Sequence, residues 1–134
     1  MTEHQIALAR RAVAAPGWRW LPGMRIAGTK FARVVAVRDS GPCGAEEGAT
    51  CDDNAAVWLD EWTTPMLPDL SDPLTALGLL ALVRERWDDP TLCVVFDHDD
   101  GTWAVGRWED GLSLRARAAP TEVEALVVAL EVTP

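Results

Sequence analysis

The residues best equipped for chemistry are Asp97-His98-Asp99-Asp100-Gly101. Their carboxylates and imidazole fall at partial calcium-loop spacing. A complete loop of that kind needs its glycine one residue later, and a glutamate where Trp108 stands. A hairpin turn uses the same residues without any metal, and that is the reading adopted here. Gly23-Met24-Arg25-Ile26-Ala27-Gly28-Thr29-Lys30 resembles a phosphate loop only superficially. Its lysine is one place late, no Ser or Thr follows it, and a turn with a short strand accounts for the segment. Cys43 and Cys51 lie among small and acidic residues, far in sequence from His4 and His98, so they read as free thiols and not zinc ligands. Cys93 sits in an apolar strand as a core filler. No serine occupies a nucleophile elbow, and no carboxylate spacing marks an acid–base pair. We therefore assign no catalytic residue, no metal and no cofactor, with an enzyme of unidentified chemistry kept as an alternative.

Tryptophan is the unusual component: seven Trp, two Phe and no Tyr. Trp is large and amphipathic, and it is enriched at interface hot spots. Trp87, Trp103 and Trp108 have core explanations on a helix and on strands. Trp18, Arg19, Trp20 and Met24 lie instead in a turn-rich segment with Pro22. They either plug one end of the core or form an exposed binding site. We carry these four as the candidate binding residues.

The elements that must position these groups are organised around residues 71–116. Ser71 and Asp72 suit an N-cap, and Pro73 suits the first helical position. Ala76, Leu79, Leu80, Val83 and Trp87 recur at helical spacing, while Leu74, Leu77, Ala81 and Leu82 fill the opposite side. A helix apolar nearly all round is expected to be buried. Gly78 within it predicts close approach of another backbone. Leu92 to Phe96 is apolar on both faces, as in a central strand. Thr102 to Trp108 and Leu112 to Ala116 complete a three-stranded antiparallel meander, with Asp110-Gly111 as a hairpin signal.

Thr2 with Gln5, and Thr121 with Glu124, form capping boxes that open an N-terminal and a C-terminal helix. Ile6, Ala9 and Val13 give the first an apolar stripe, and Val123, Leu126, Val127 and Leu130 make the last amphipathic. Phe31 to Val37 reads as a strand. Ala55 to Trp62 reads as a strand, with a short helix not excluded by the spacing of Trp58 and Trp62. Residues 39–54 are rich in glycine and small residues and predict a mobile loop. The expectation is one α+β domain over residues 1–134, with an antiparallel sheet and N-terminal, central buried and C-terminal helices.

The chain has 134 residues and a net charge of −9. Residues 1–40 carry about +5, with seven Lys and Arg against Glu3 and Asp39, leaving about −14 for the rest. The two parts either face each other in the fold or leave the basic part to contact an acidic surface. An acidic chain is a poor non-specific nucleic-acid binder. No apolar run approaches a membrane span, and the N-terminus lacks the pattern of a signal peptide. The odd cysteine count fits a reducing cytosol.

Two segments, Gly17-Trp18-Arg19-Trp20-Leu21-Pro22-Gly23-Met24 and Leu67-Pro68-Asp69-Leu70-Ser71-Asp72-Pro73 running into Leu79 to Glu85, resemble a family of small uncharacterised proteins encoded by bacteriophages and prophages. Glu124 to Glu131 fits that family's ending. The resemblance implies a bacterial cytoplasm and an accessory role, and it supplies no catalytic residue. The expected function is binding of a host or phage protein, with inhibition of a host target as one outcome. The alternative is a structural or assembly role in the phage.

Overall fold

The structure is a computed structural model describing residues 1–28, 33–37, 57–59, 66–109, 111–114 and 116–132. The expected loop over 39–54 lies outside these residues, as do Cys43 and Cys51. The class is α+β. Its elements in chain order are α1 (Glu3–Ala14), β1 (Val34–Val37), β2 (Val57–Leu59), α2 (Pro73–Arg86), β3 (Cys93–Asp97), β4 (Thr102–Glu109), β5 (Gly111–Leu114) and α3 (Glu122–Glu131). The chain forms two compact units, residues 1–9 with 19–78 and residues 10–18 with 79–134.

In the first unit, β1 pairs with β2 in parallel, a two-stranded sheet separate from the other strands. This corrects the expectation of one antiparallel sheet. Alternation and β-branching identify a strand but say nothing of its partner's direction. The segment after Pro22 is held by isolated bridges, Arg25 to Arg33 and Ile26 to Pro68. Gly23 and Gly28 bend the chain on either side at φ 95° and 79°. The phosphate-loop look-alike is thus turn and bridge up to Gly28. The core here includes Met24, Ile26, Val34 and Leu70, with Thr75 fully buried. Thr75 Oγ1 accepts from the Arg25 amide at 2.9 Å.

Asp72 is the N-cap of α2, its Oδ2 accepting the Thr75 amide at 3.0 Å. The carboxylate is buried and receives both ends of the Arg33 guanidinium, at 2.7 and 2.8 Å. Arg33 also donates to the Gly23 carbonyl at 2.9 Å. The hydrogen-bonded guanidinium, supported by the Thr75 amide and hydroxyl, holds the Asp72 carboxyl at about 2, against an ordinary 3.8.

The helix α2 is not buried all round. Leu79, Leu82 and Val83 are buried, but Leu74 is 49% and Leu77 61% exposed. With apolar residues on every side, the sequence carried no signal for which face would pack. The neighbour at Gly78 is also a side chain and not a backbone. A Cβ built there would lie 2.5 Å from Met24 Cε and 3.1 Å from its Cγ.

In the second unit, α2 ends in a Schellman arrangement. The Asp88 amide donates to the Glu85 carbonyl at 3.1 Å and the Asp89 amide to the Arg84 carbonyl at 2.9 Å. Asp88 takes the left-handed position at φ 49°, where glycine is usual. Asp88→Gly is expected to stabilise the protein by about 0.5–1 kcal/mol, read from the shift in denaturant midpoint. An unchanged or lower midpoint would show that the Asp88 side chain contributes more than its backbone costs.

The strands β3, β4 and β5 hydrogen-bond antiparallel in that order. The order puts β3 at a sheet edge, whereas its apolar composition reads as a central strand. The helix α3 is capped by Thr121, whose Oγ1 accepts the Glu124 amide at 3.2 Å. Six consecutive residues, Ala125 to Leu130, are buried, a wider surface than the amphipathic stripe expected. Near its C-terminus the Ala129 carbonyl accepts Trp87 Nε1 at 3.0 Å, satisfying one of the carbonyls a helix end leaves open.

The helix α1 opens with the expected capping box. The Thr2 amide donates to Gln5 Oε1 at 2.9 Å, and the Gln5 amide to Thr2 Oγ1 at 3.2 Å. Its buried residues are Leu8, Ala9 and Ala12, a stripe rotated from Ile6, Ala9 and Val13. Arg11 donates to both carboxylate oxygens of Glu131, at 2.9 and 2.7 Å, and lies 3.9 Å from Glu124. Basic residues of the N-terminal part therefore meet later acidic ones within each unit. Arg11 does so in the second, and Arg25 with Asp69 and Arg33 with Asp72 in the first. No helix among the described residues is long and apolar enough to cross a membrane.

Candidate functional site

The four candidate binding residues do not make an exposed cluster. Met24 is fully buried against the Gly78 position, and its sulfur accepts the Leu21 amide at 3.4 Å. Trp20 is buried at 9% exposure. An exposed contact surface therefore includes neither. Flanking turns and alternating aromatics look the same whether the rings face inward or outward, so the sequence could not separate the two cases. Arg19 is exposed and Trp18 half-buried, the latter donating its amide to the Ala15 carbonyl at 3.1 Å. Trp18 belongs to the second unit, and Arg19, Trp20 and Met24 to the first.

The surface with binding character lies at the hairpin of β3 and β4. Strand alternation puts Val95 and Asp97 on one face with their cross-strand partners Ala104 and Thr102. Trp108 falls on the same face of β4. These residues, with Phe96 and Ala118, line a cleft of about 590 Å³, and Asp97, His98, Asp99 and Asp100 complete its lining. Trp108 is 65% exposed and Phe96 37%. The Phe96 ring is held edge-on by His98, centroids 4.9 Å apart, and tilted against Trp103 at 5.0 Å. Exposure of Trp108 corrects its expected place in the core. The missed signal was local: alternation along β4 groups Trp108 with Thr102, Ala104 and Gly106. These small residues cannot wall in an indole.

The acidic turn has a structural job. Asp97 Oδ1 accepts the Asp99 amide at 2.9 Å and, more weakly, the Asp100 amide at 3.4 Å. The Gly101 amide closes the turn on the Asp97 carbonyl at 2.8 Å, with Gly101 at φ 66°. Asp99 and Asp100 are exposed and give the cleft a negative rim. Among the described residues, no group of three His, Cys, Asp or Glu is placed to hold a metal ion.

A second depression, of about 460 Å³, lies between the end of α2 and β4 and is lined by Trp87, Asp88, Asp89, Pro90, Thr91 and Arg107. Its polar groups brace one another. Asp89 Oδ1 accepts the Thr91 amide and hydroxyl at 2.9 and 2.6 Å, and Oδ2 accepts Arg107 at 3.2 Å. Cys93 is half-buried, its thiol directed to the Gly106 carbonyl at 3.5 Å.

Compared with known proteins, the chain matches no family model, no curated sequence and no solved structure.

Proposed function

We propose that the protein acts by binding another protein through the Phe96–Trp108 cleft, with a basic segment of the partner against the acidic turn. The observation that supports this reading is Trp108, an exposed indole beside an acidic rim. A large aromatic anchor in a cleft is the usual centre of an interface hot spot, and the charged rim adds specificity and on-rate. With the sequence resemblance to phage-encoded proteins, the role becomes that of an accessory protein in the cytoplasm of an infected or lysogenic bacterium. A host protein held at this cleft loses its own contacts there and is inhibited.

Capture from infected cells by the tagged chain, with identification by mass spectrometry, tests this against Trp108→Ser. Because Trp108 is mostly exposed, the variant should melt like the parent. Stoichiometric capture by the parent, reduced at least about tenfold in the variant, is the expected result. Equal capture by both would place the contact elsewhere. Co-purification with phage particles would favour an assembly role.

A further inference from the structure

The strand β3 has the composition of a central strand and the position of an edge strand. Cys93-Val94-Val95-Phe96 is uninterrupted and apolar, and the strand pairs with β4 at all five positions without a bulge. Within Cys93 to Phe96 there is no lysine, no proline and no bulge to protect an edge.

The direction of each backbone group follows from the hydrogen bonds. The Asp97 carbonyl accepts the Gly101 amide, so it faces the β4 side. Trp103, the partner of Phe96, exchanges both of its backbone bonds with Ala119 on the far side of β4. Phe96 therefore directs its amide and carbonyl away from β4, and alternation gives Val94 and Leu92 the same direction. At Leu92 these outward groups are engaged: its amide donates to the Asp89 carbonyl at 3.5 Å and its carbonyl accepts Arg84 Nε at 2.8 Å. Beyond it, no strand among the described residues pairs with the outer side of Val94 and Phe96.

We propose that this outer edge takes an extended segment of the partner as a fourth strand, antiparallel to β3, with basic residues at the segment's N-terminal end. The inference rests on the reading of the protein as a binder of proteins and adds the mode. Two amides and two carbonyls, at Val94 and Phe96, supply the backbone bonds. Antiparallel pairing is the more stable arrangement, and it brings the incoming N-terminal end to Asp97, Asp99 and Asp100. Alternate side chains of the segment fall on the Val95–Trp108 face and beside Phe96. Charge selects against a second copy as the occupant, since each copy carries −9.

The test uses the purified full chain and a capped ten-residue peptide with three lysines at its N-terminal end, followed by alternating valine and threonine. Amide hydrogen exchange at Val94 and Phe96 is expected to slow about tenfold or more when the peptide binds. The reversed sequence, and a peptide N-methylated at alternate bonding positions, should bind at least about tenfold more weakly. Asp99→Asn with Asp100→Asn should weaken the parent peptide and flatten its salt dependence. Binding without protection of Val94 and Phe96, or binding indifferent to N-methylation, overturns the proposal. So does an absence of binding at about 1 mM peptide, or self-association that protects the same amides. If the peptide fails while Trp108→Ser still abolishes capture, the cleft reading stands and strand addition alone falls.

Discussion

Arg33→Ala is expected to cost the protein about 2–4 kcal/mol at neutral pH, because it strands the buried carboxylate of Asp72. That carboxylate takes the place of the missing first-turn partners of α2, and among the described residues Arg33 supplies its counter-charge, through a two-pronged contact at 2.7 and 2.8 Å. A carboxyl held at about 2 in place of 3.8 contributes about 2.5 kcal/mol of stability above the unfolded-chain value. The sign follows from the lowered value: the contribution is complete above about pH 4 and is lost as pH falls through about 2. Denaturant unfolding from pH 7 to pH 2 should therefore show parent and variant well separated at neutrality and converging in acid. Arg33→Lys, which keeps the charge but not the fork, should fall between them. Equal midpoints at pH 7 would falsify the assignment of Asp72 as a buried, paired cap.

Gly78→Leu is expected to destabilise by about 1–3 kcal/mol or more, since the added side chain enters space already filled by Met24. The nearest atom to a built Cβ, Met24 Cε, is the end of a flexible chain, and Gly78→Ala also gains helix propensity of about 1 kcal/mol. Alanine should therefore be close to neutral. Leucine adds volume that a methionine with no solvent exposure cannot leave room for. The signature of this mechanism is compensation. Met24→Ala alone should cost about 2–5 kcal/mol, and combined with Gly78→Leu it should cost at least about 1 kcal/mol less than the two effects added. Additive losses would show that the two side chains do not share the space.

The parts of this fold that were legible are those written in a few adjacent residues. Thr2 with Gln5, Asp72 with Pro73, and Thr121 each announce a helix start, because a cap is a bond between neighbours in sequence. The hairpin at Asp97 to Gly101 was legible for the same reason. What escaped depends on partners distant in the chain. Nothing in the pattern of α2 distinguishes Leu77, which is exposed, from Leu79, which is buried, since both lie in an unbroken apolar run. The parallel direction of β1 and β2 likewise leaves no mark in either strand's own residues. For the candidate site, the acidic turn could be read at once, but the side chains beside it could not. Trp20 and Met24, read as candidates for the surface, are in the core, and Trp108, read as core, is on the surface. Residue type was informative and orientation was not.

The bond between Arg11 and Glu131 joins residues 120 positions apart, and it closes a unit assembled from residues 10–18 and 79–134. On a ribosome adding about 5–20 residues per second, Arg11 is made roughly 6–24 s before its partner. The second half of α1 therefore waits while the next 120 residues are made, with Ala12, buried in the finished fold, still uncovered. The residues of the first unit are all translated by Gly78, so that unit can begin to form while the other is still incomplete. A message broken before α3 would leave a nascent chain with the first unit's sequence and a stretch of α1 without its destination, which is the kind of surface that chaperones and proteases recognise.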